Sequence, residues 1–156
     1  MLKTVKRTRL KAHGGAFAIV ASSYNRRYVD AMLRAAQQCL REAGAVKVLT
    51  VRVPGAYEIP VVAARLARTH SPALSGIICL GVILRGATTH AQHIGEAVSN
   101  ALSQIQVLHE VPVIHEVLLL ENEEQARARC LSRDHNRGTE AAQTALAMAK
   151  VMKRLE

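Results

Sequence analysis

Apolar residues along the chain fall into two alternating patterns. Continuous apolar runs of strand length cover residues 16–21, 46–53, 76–83 and 113–119. Between and after these runs, apolar side chains recur three or four positions apart, which predicts helices. The predicted helices cover residues 29–40, 59–67, 94–105, 122–130 and 139–155. Because the strands alternate with helices and are apolar throughout, the pattern predicts a parallel sheet with helices on both faces.

The length of 156 residues is sufficient for one domain with a normal hydrophobic core. We expect two parts, a basic N-terminal tail over residues 1–15 and an α/β domain over residues 16–156. Several lysines and arginines lie in the tail, and no acidic residue precedes Asp30. Such a tail is either a solvated arm or a binding segment, and the sequence leaves both interpretations open.

The net charge of +9 raises the question of nucleic-acid or membrane binding. Much of the excess charge lies in the tail, and the few aromatic residues are too scattered to stack on bases. No apolar run is long enough to cross a membrane, and no apolar segment of signal-peptide length follows the basic N-terminus. We therefore expect neither a nucleic-acid nor a membrane partner, and no export.

The cysteines at positions 39, 79 and 130 are widely separated. Their spacing fits no metal site, so the sequence gives no indication of a bound metal. Isolated cysteines of this kind are typical of reduced thiols, and we expect a cytoplasmic protein.

Small and polar residues concentrate where the predicted strands end. These segments are Ser22–Asn25, Pro54–Glu58, Arg85–His90 and Leu120–Asn122. In parallel sheets, ligands bind outside the carboxyl ends of the strands. We therefore expect the functional site at this end of the sheet.

The segment Gly81–His90 has the pattern of a phosphate-binding junction between a strand and a helix. Gly86 and Ala87 leave room for a ligand near the backbone, and the threonines that follow can cap a helix whose free amides attract an anion. His90 would then stand beside the anion, with a ring that exchanges a proton near neutral pH. Such junctions are common, and a single histidine in a first helical turn is usually solvated, so the segment alone leaves both interpretations open.

Three motifs occur in order along the chain, PGAYEIP at 54–60, GVILRGATTH at 81–90 and NRGTEAA at 136–142. With them the chain resembles the lumazine synthases from Phe17 onward. The resemblance implies a single-domain, flavodoxin-like three-layer sandwich with a four-stranded parallel sheet. It also implies a transferase of riboflavin biosynthesis that needs no cofactor and no metal. That enzyme condenses 5-amino-6-(D-ribitylamino)uracil with 3,4-dihydroxy-2-butanone 4-phosphate, and releases 6,7-dimethyl-8-ribityllumazine, phosphate and water.

The resemblance assigns the pyrimidine ring and the ribityl chain to one set of residues. These are Tyr24, Asn25, Ala56, Tyr57, Glu58, Val82, Ile83 and His115. Tyr24 would stack on the pyrimidine, although a loop tyrosine can equally cap the core. Glu58 would accept hydrogen bonds from ribityl hydroxyls, and a role as N-cap of the next helix is compatible with this. The main chain of Val82 and Ile83 would bind the pyrimidine edge.

The resemblance assigns the phosphate group of the second substrate to Ala87, Thr88, Arg129 and Arg137. A guanidinium fork suits a phosphate, but without the resemblance Arg129 would be interpreted as a solvated arginine. Arg137 stands where the family usually has a lysine, so the charge is kept while the geometry changes. His90 matches the proton-transfer histidine of the family and is the expected catalytic residue.

Several positions depart from the family pattern. His115 lies where an aromatic residue, commonly phenylalanine, reaches the neighbouring subunit's site. The segment 116–120 lacks the expected glycine and threonine, and the segment 130–132 replaces a small Ala-Gly-Thr sequence. These changes bear on assembly and loop conformation more than on chemistry.

The family is built from pentamers with sites between adjacent subunits, and some members assemble twelve pentamers into a hollow shell. The spacing between Arg129 and Gly138 resembles that of shell-forming members. We expect a homopentamer, and leave a decamer and the complete shell open. The expected partners are copies of the same chain and the two small substrates, with riboflavin synthase as a further candidate.

Two other interpretations of the sequence compete with this one. The first is a pyrimidine- or flavin-binding protein on the same scaffold without efficient catalysis, in which His90 and Arg129 would have no purpose. The second is a nucleic-acid-binding module that relies on positive charge. Its binding would fall with salt and disappear without residues 1–15.

Overall fold

Four parallel strands form one sheet in the computed structural model, which describes residues 2–156. They are β1 (Ala16–Ser22), β2 (Lys47–Val53), β3 (Gly76–Leu84) and β4 (Val113–Leu120). Their order across the sheet is β2-β1-β3-β4, and every neighbouring pair is parallel. Each strand lies within one residue of the predicted apolar run, so the predicted parallel sheet is confirmed.

The helices are α1 (Arg26–Glu42), α2 (Ile59–Thr69), α3 (His90–His109), α4 (Glu123–Ala126) and α5 (Arg137–Lys153). The helix predicted over residues 122–130 is present, but it consists of the short α4 followed directly by a π-helical turn, Arg127–Leu131. The last helix begins two residues earlier than predicted, because the side chain of Asn136 accepts a 2.8 Å hydrogen bond from the amide of Gly138 and caps it.

Helices cover both faces of the sheet and create two hydrophobic cores. One core lies between the sheet and α1 and α5, and we call these two helices the α1–α5 layer. The other lies between the sheet and α2 and α3, the α2–α3 layer. This arrangement is the predicted flavodoxin-like three-layer sandwich.

Strand β4 is an edge strand whose side chains alternate between the two layers. Val113 and Val117 belong to the core of the α2–α3 layer, while Ile114 and Leu120 belong to the core of the α1–α5 layer. Because side chains alternate along a strand, His115 faces α3 and Glu116 faces α5. His115 and Glu116, which both depart from the family pattern, therefore lie on opposite faces of the sheet.

Residues 2–12 form no helix or strand, yet they contact the domain. The amide of Val5 donates to the carbonyl of Asp134 (2.8 Å), and the ring Nδ1 of His135 bonds the carbonyl of Lys3 (3.1 Å). Further along, the amide of Ala12 donates to the carbonyl of Ala43 at 2.8 Å. The basic segment therefore follows the surface of the α1–α5 layer.

Within residues 2–156, none of the helices combines the length and the apolar composition that a membrane crossing requires. The three cysteines are free thiols. Burial raises the pKa of the Cys79 thiol to about 12, so this group stays protonated at neutral pH.

Candidate active site at the carboxyl ends of the strands

The loops after β1 and β2 are joined by main-chain hydrogen bonds. The amide of Ser23 donates to the carbonyl of Val53 (2.8 Å), and that of Tyr24 donates to the carbonyl of Pro54 (3.0 Å). The side chain of Tyr24 is 73% exposed, and that of Tyr57 in the second loop is 63% exposed. Tyr24 therefore does not cap the core of its own chain, and two aromatic rings are presented at one end of the sheet.

Asn25 connects the loop after β1 with strand β3. Its backbone has a φ of 54°, in the left-handed region that asparagine tolerates better than most residues, and it precedes α1 directly. Its side-chain amide donates a 2.7 Å hydrogen bond to the carbonyl of Val82. That carbonyl, one of the predicted pyrimidine contacts, therefore already has a partner.

Glu58 closes the short 3-10 turn Ala56–Glu58 that precedes α2. Its carboxylate Oε2 accepts a 2.9 Å hydrogen bond from the amide of Gly55. The predicted N-cap role is only partly correct, because Glu58 occupies the N-cap position of α2 but its side chain makes no hydrogen bond to that helix. Glu58 is exposed, and its turn packs against α3. Because only Oε2 is engaged, the other carboxylate oxygen can accept a hydrogen bond from a polyol hydroxyl.

The turn after β3 lies at the first residues of α3, as the sequence predicts. All residues from Arg85 to His90 are exposed. The amide of His90 lies 3.4 Å from the hydroxyl oxygen of Thr88, so Thr88 supplies the capping oxygen, whereas the Thr89 side chain makes no cap hydrogen bond. First-turn amides of a helix lack intrahelical partners and attract anions, which makes the Ala87–Thr88 turn suitable for a phosphate.

Arg85 has a structural role and is not a free cation. Its amide donates to the carbonyl of Leu120 (2.8 Å), and its Nε lies 3.1 Å from the Glu121 carboxylate. The ion pair joins the ends of β3 and β4. The positive charge of Arg85 beside the Ala87–Thr88 turn is therefore largely compensated.

Arg129 lies on the opposite side of the sheet from His90. It belongs to the π-helical turn, between Ala126 and Cys130, which pack into the core of the α1–α5 layer, whereas Ala91 beside His90 packs into the other core. Arg129 lines a cavity of about 480 Å³ together with Arg137. Among the described residues that line it, none belongs to the Ala87–Thr88 turn or is His90. One chain therefore does not bring Arg129 together with His90.

Arg137 forms an ion pair with Glu140 one turn further along α5. Burial would lower the pKa of the Arg137 guanidinium, but the hydrogen bond to Glu140 and the charge of Glu116 outweigh it and raise this pKa. Glu116 itself is half-buried, and burial raises its pKa to about 7, with Arg137 acting to lower it and Glu140 to raise it further. The sequence indicated only that Glu116 departs from the family pattern, and its burial was missed.

His115 is held by a chain of hydrogen bonds on the α2–α3 side of the sheet. Its Nδ1 accepts from the amide of Val117 (3.1 Å), and its Nε2 lies 2.7 Å from the hydroxyl of Ser99. Because that hydroxyl donates to the carbonyl of Gly95 (2.8 Å), Nε2 carries the ring proton and donates to Ser99. Burial lowers the pKa of His115, in agreement with a neutral ring. Sequence analysis did not identify Ser99.

The family model described as 6,7-dimethyl-8-ribityllumazine synthase matches residues 14–153. The chain belongs to this family. A 6,7-dimethyl-8-ribityllumazine synthase of Stenotrophomonas maltophilia (strain R551-3) is 39% identical over 141 residues, which cover 89% of this chain and 90% of the relative.

Other organisms carry proteins of the same name with similar identity to this chain. That of Coxiella burnetii (strain RSA 493 / Nine Mile phase I) is 40% identical over 89% of this chain and 92% of its own length. That of Aquifex aeolicus (strain VF5) is 38% identical over 94% of this chain and 96% of its own length. The predicted membership of the lumazine synthase family is therefore confirmed, and the family match covers residues 14–153, beginning after most of the basic tail.

Proposed function

We propose that this chain condenses 5-amino-6-(D-ribitylamino)uracil with 3,4-dihydroxy-2-butanone 4-phosphate, in riboflavin biosynthesis. The observation that carries the proposal is the position of His90. It opens α3 beside a hydroxyl-bearing turn, at the same end of the sheet as the exposed Tyr24 and the carboxylate of Glu58. Family membership supplies the reaction, and these residues supply the groups that it needs.

In the proposed complex, the ring of Tyr24 stacks on the pyrimidine and Asn25 holds the loop that carries it. The Ala56–Glu58 turn binds the ribityl chain through its amides and the free oxygen of Glu58, with Tyr57 beside it. The backbone of Ile83 and Val82 borders the pyrimidine edge. The Ala87–Thr88 turn holds the phosphate of the second substrate, at the amides of α3.

The reaction begins when the 5-amino group of the uracil attacks the carbonyl of the butanone phosphate and water leaves, which forms an imine. Phosphate then leaves C4 as the proton on C3 is removed, and the enol that forms tautomerises to a carbonyl at C3. The ribitylamino nitrogen attacks this new carbonyl, and loss of a second water closes the ring. His90 moves protons to and from the reacting oxygen and carbon atoms. General acid–base catalysis contributes roughly 10²- to 10⁴-fold, whereas holding two reactants together reaches effective molarities of about 10⁵ M or more. Positioning of the two substrates therefore contributes more to the rate than proton transfer does.

We propose that each site is shared between adjacent copies of the chain in a homopentamer. Arg129 and Arg137 lie on the far side of the sheet from His90, and a neighbouring copy would bring them to the phosphate. The exposure of Tyr24 and Tyr57 also favours a partner surface, since large aromatic side chains are usually covered. His115 of the neighbour would contact the pyrimidine as a neutral ring. A shell of pentamers and an association with riboflavin synthase stay predictions.

A cytoplasmic location agrees with the three free thiols, because cysteines in oxidising compartments usually form disulfides. The proposed reaction uses substrate amines and side chains of this chain only, so it needs neither metal nor cofactor.

The test is a mixture of the purified protein with both substrates. We expect lumazine absorbance and free phosphate to appear in equal amounts, faster than in the spontaneous condensation. Native mass measurement of the same sample gives the assembly. A rate equal to the spontaneous one, with the ribityl-pyrimidine still bound, would make the chain a binding protein on this scaffold.

A further inference from the structure

The start of the basic tail is anchored beside the cavity that Arg129 lines. The carbonyl of Lys3 bonds the ring of His135, and the amide of Val5 bonds the carbonyl of Asp134. These two anchors fix the chain on either side of Thr4. Residues 2–6 therefore lie along the loop between the π-helical turn and α5, and they form one wall of the cavity.

This cavity, of about 480 Å³, contains more positive than negative charge. Lys3, Lys6, Arg129 and Arg137 line it, and Glu140 is the acidic residue among the described residues that do so. Glu140 is engaged by Arg137. The surplus charge therefore belongs to Lys3, Lys6 and Arg129, and like charges around one cavity favour an anion between them.

The geometry points to Lys3 and Lys6 as part of the phosphate-binding half-site that Arg129 supplies to the neighbouring copy. This inference rests on the proposed function. The two ammonium groups bind the phosphate oxygens of the butanone phosphate from the tail side, while the guanidinium of Arg129 binds from the π-helical turn. Lysine and arginine make the strongest hydrogen bonds to phosphate oxygens. The tail is then a part of the site, although the family match begins only at residue 14.

The same tail contains a matched control. Arg7 and Arg9 line a separate cavity against α1 and α5, which contains Glu42 and does not include Arg129. They carry the same charge as the two lysines and lie only a few residues away. A general effect of tail charge would therefore act through both pairs, whereas a phosphate site acts through Lys3 and Lys6 alone.

The experiment compares Lys3→Gln/Lys6→Gln with Arg7→Gln/Arg9→Gln in the full chain. The readouts are the KM of each substrate and the inhibition constant of inorganic phosphate. For the lysine pair we expect the KM of the butanone phosphate and the phosphate inhibition constant to rise about tenfold, as for lost hydrogen bonds to a charged group. In the same lysine variant, the KM of the uracil should stay within about twofold of the wild type. In the arginine variant, the KM of the butanone phosphate and the phosphate inhibition constant should also stay within about twofold. Lys3→Arg/Lys6→Arg, which keeps both positive charges, should have the wild-type values.

Unchanged constants in the lysine pair, or an equal rise in both pairs, would overturn the inference. If the double variant fails to assemble, as judged by native mass, Lys3→Gln and Lys6→Gln are measured singly by the same criteria. Arg129→Ala separates this inference from the proposed function. If Arg129→Ala keeps the wild-type KM for the butanone phosphate, the assignment of Arg129 to the phosphate is wrong. If Arg129→Ala raises this KM but the lysine variants do not, only the role of the tail is rejected.

Discussion

The Nε2 of His115 lies 2.7 Å from the hydroxyl oxygen of Ser99 and donates a hydrogen bond to it. With Nδ1 bonded to the amide of Val117, both ring nitrogens are occupied within the chain. Glu96 and the ion-paired Arg85 line a cavity of about 540 Å³ together with Ser99. On β3, Cys79 is the register partner of His115, and its thiol is neutral. The ring of His115 is therefore held in one orientation, and burial, which lowers its pKa, favours the neutral form.

Ser99→Ala should release this ring and weaken uracil binding. Loss of one hydrogen bond is worth about 1 kcal/mol, which corresponds to roughly a fivefold rise in the KM of the uracil. The KM of the butanone phosphate should not change. Ser99→Thr, which keeps the hydroxyl, should restore uracil binding, and Ser103→Ala on the same helix is the control. An unchanged uracil KM in Ser99→Ala would show that the orientation of His115 does not matter for binding.

His90→Ala should slow the reaction without abolishing it. The variant loses proton transfer, worth roughly 10²-fold or more, but keeps the binding groups that hold the two substrates together. The measurement is kcat from lumazine absorbance, with free phosphate as a second readout. The matched control is His93→Ala, an exposed histidine one turn further along α3. A wild-type kcat for His90→Ala would remove this residue from the mechanism.

The strands could be predicted to within one residue because their sequences leave little choice. A continuous apolar run such as Ile77–Leu80 is buried on both faces of the sheet. Such a run is typical of a central strand in a parallel sheet that helices cover on both sides. That the strand ends lie side by side could be predicted as well, since a parallel topology places them at one edge of the sheet. The strand ends carry Tyr24, Glu58 and His90, and local sequence alone places all three there.

The features that the sequence did not predict are the start of α5, the role of Ser99 and the burial of Glu116. They depend on capping and packing contacts that a local pattern of apolar residues does not reveal. The start of α5 was missed because Gly138 disfavours a helix, and the capping by Asn136 overrides that preference. Ser99 was missed because it joins His115 only through the pairing of α3 with β4. The burial of Glu116 was missed because it follows from which face of β4 meets α5.

Arg129→Ala should raise the KM of the butanone phosphate at least about tenfold and leave that of the uracil nearly unchanged. Removing one partner of a charged, hydrogen-bonded contact costs roughly 2 to 5 kcal/mol. Arg133→Ala, an exposed arginine nearby, is the control. A rise confined to the uracil would contradict the phosphate assignment.

Mixed assemblies test whether the site is shared between chains. If His90 comes from one copy and Arg129 from the next, coexpression of His90→Ala with Arg129→Ala produces some sites in which both residues are intact. Activity at low butanone phosphate should then exceed that of either variant alone. Separately purified variants that have not exchanged subunits provide the baseline. No gain in the mixed assemblies, with mixing shown by native mass, would place both residues in sites of a single chain.

Gly138→Ala should destabilise the fold, because an added Cβ at this position would overlap the main chain of Met32 in α1. Overpacking of this kind costs roughly 1 to 3 kcal/mol. Gly95→Ala is the control, since its Cβ would make an ordinary 3.6 Å contact with Leu119, and alanine favours a helix interior by about 0.5 to 1 kcal/mol. Denaturation in urea should therefore move in opposite directions for the two variants, and equal stability of both would contradict the close approach of α5 to α1.

Glu116 should make the fold less stable as the pH rises. Burial raises its pKa from 4.5 to about 7, with Arg137 lowering it and Glu140 raising it. Between these two pH values the folded chain keeps the proton while the unfolded chain has lost it. The stabilisation is therefore complete below the unfolded pKa and is lost as the pH rises through about 7. At about 1.4 kcal/mol per pKa unit, the loss amounts to a few kcal/mol at most.

The measurement is the free energy of unfolding of the wild type and of Glu116→Gln, at several pH values on both sides of neutrality. The variant keeps the shape of the side chain but cannot ionise, so its advantage over the wild type should grow as the pH rises. The other titrating groups cancel in the difference between the two proteins. The lowered pKa of His115 acts with the opposite sign, because its neutral form is the one favoured by folding and its contribution is lost as the pH falls. A difference between variant and wild type that does not change with pH would mean that Glu116 is solvated rather than held against α5.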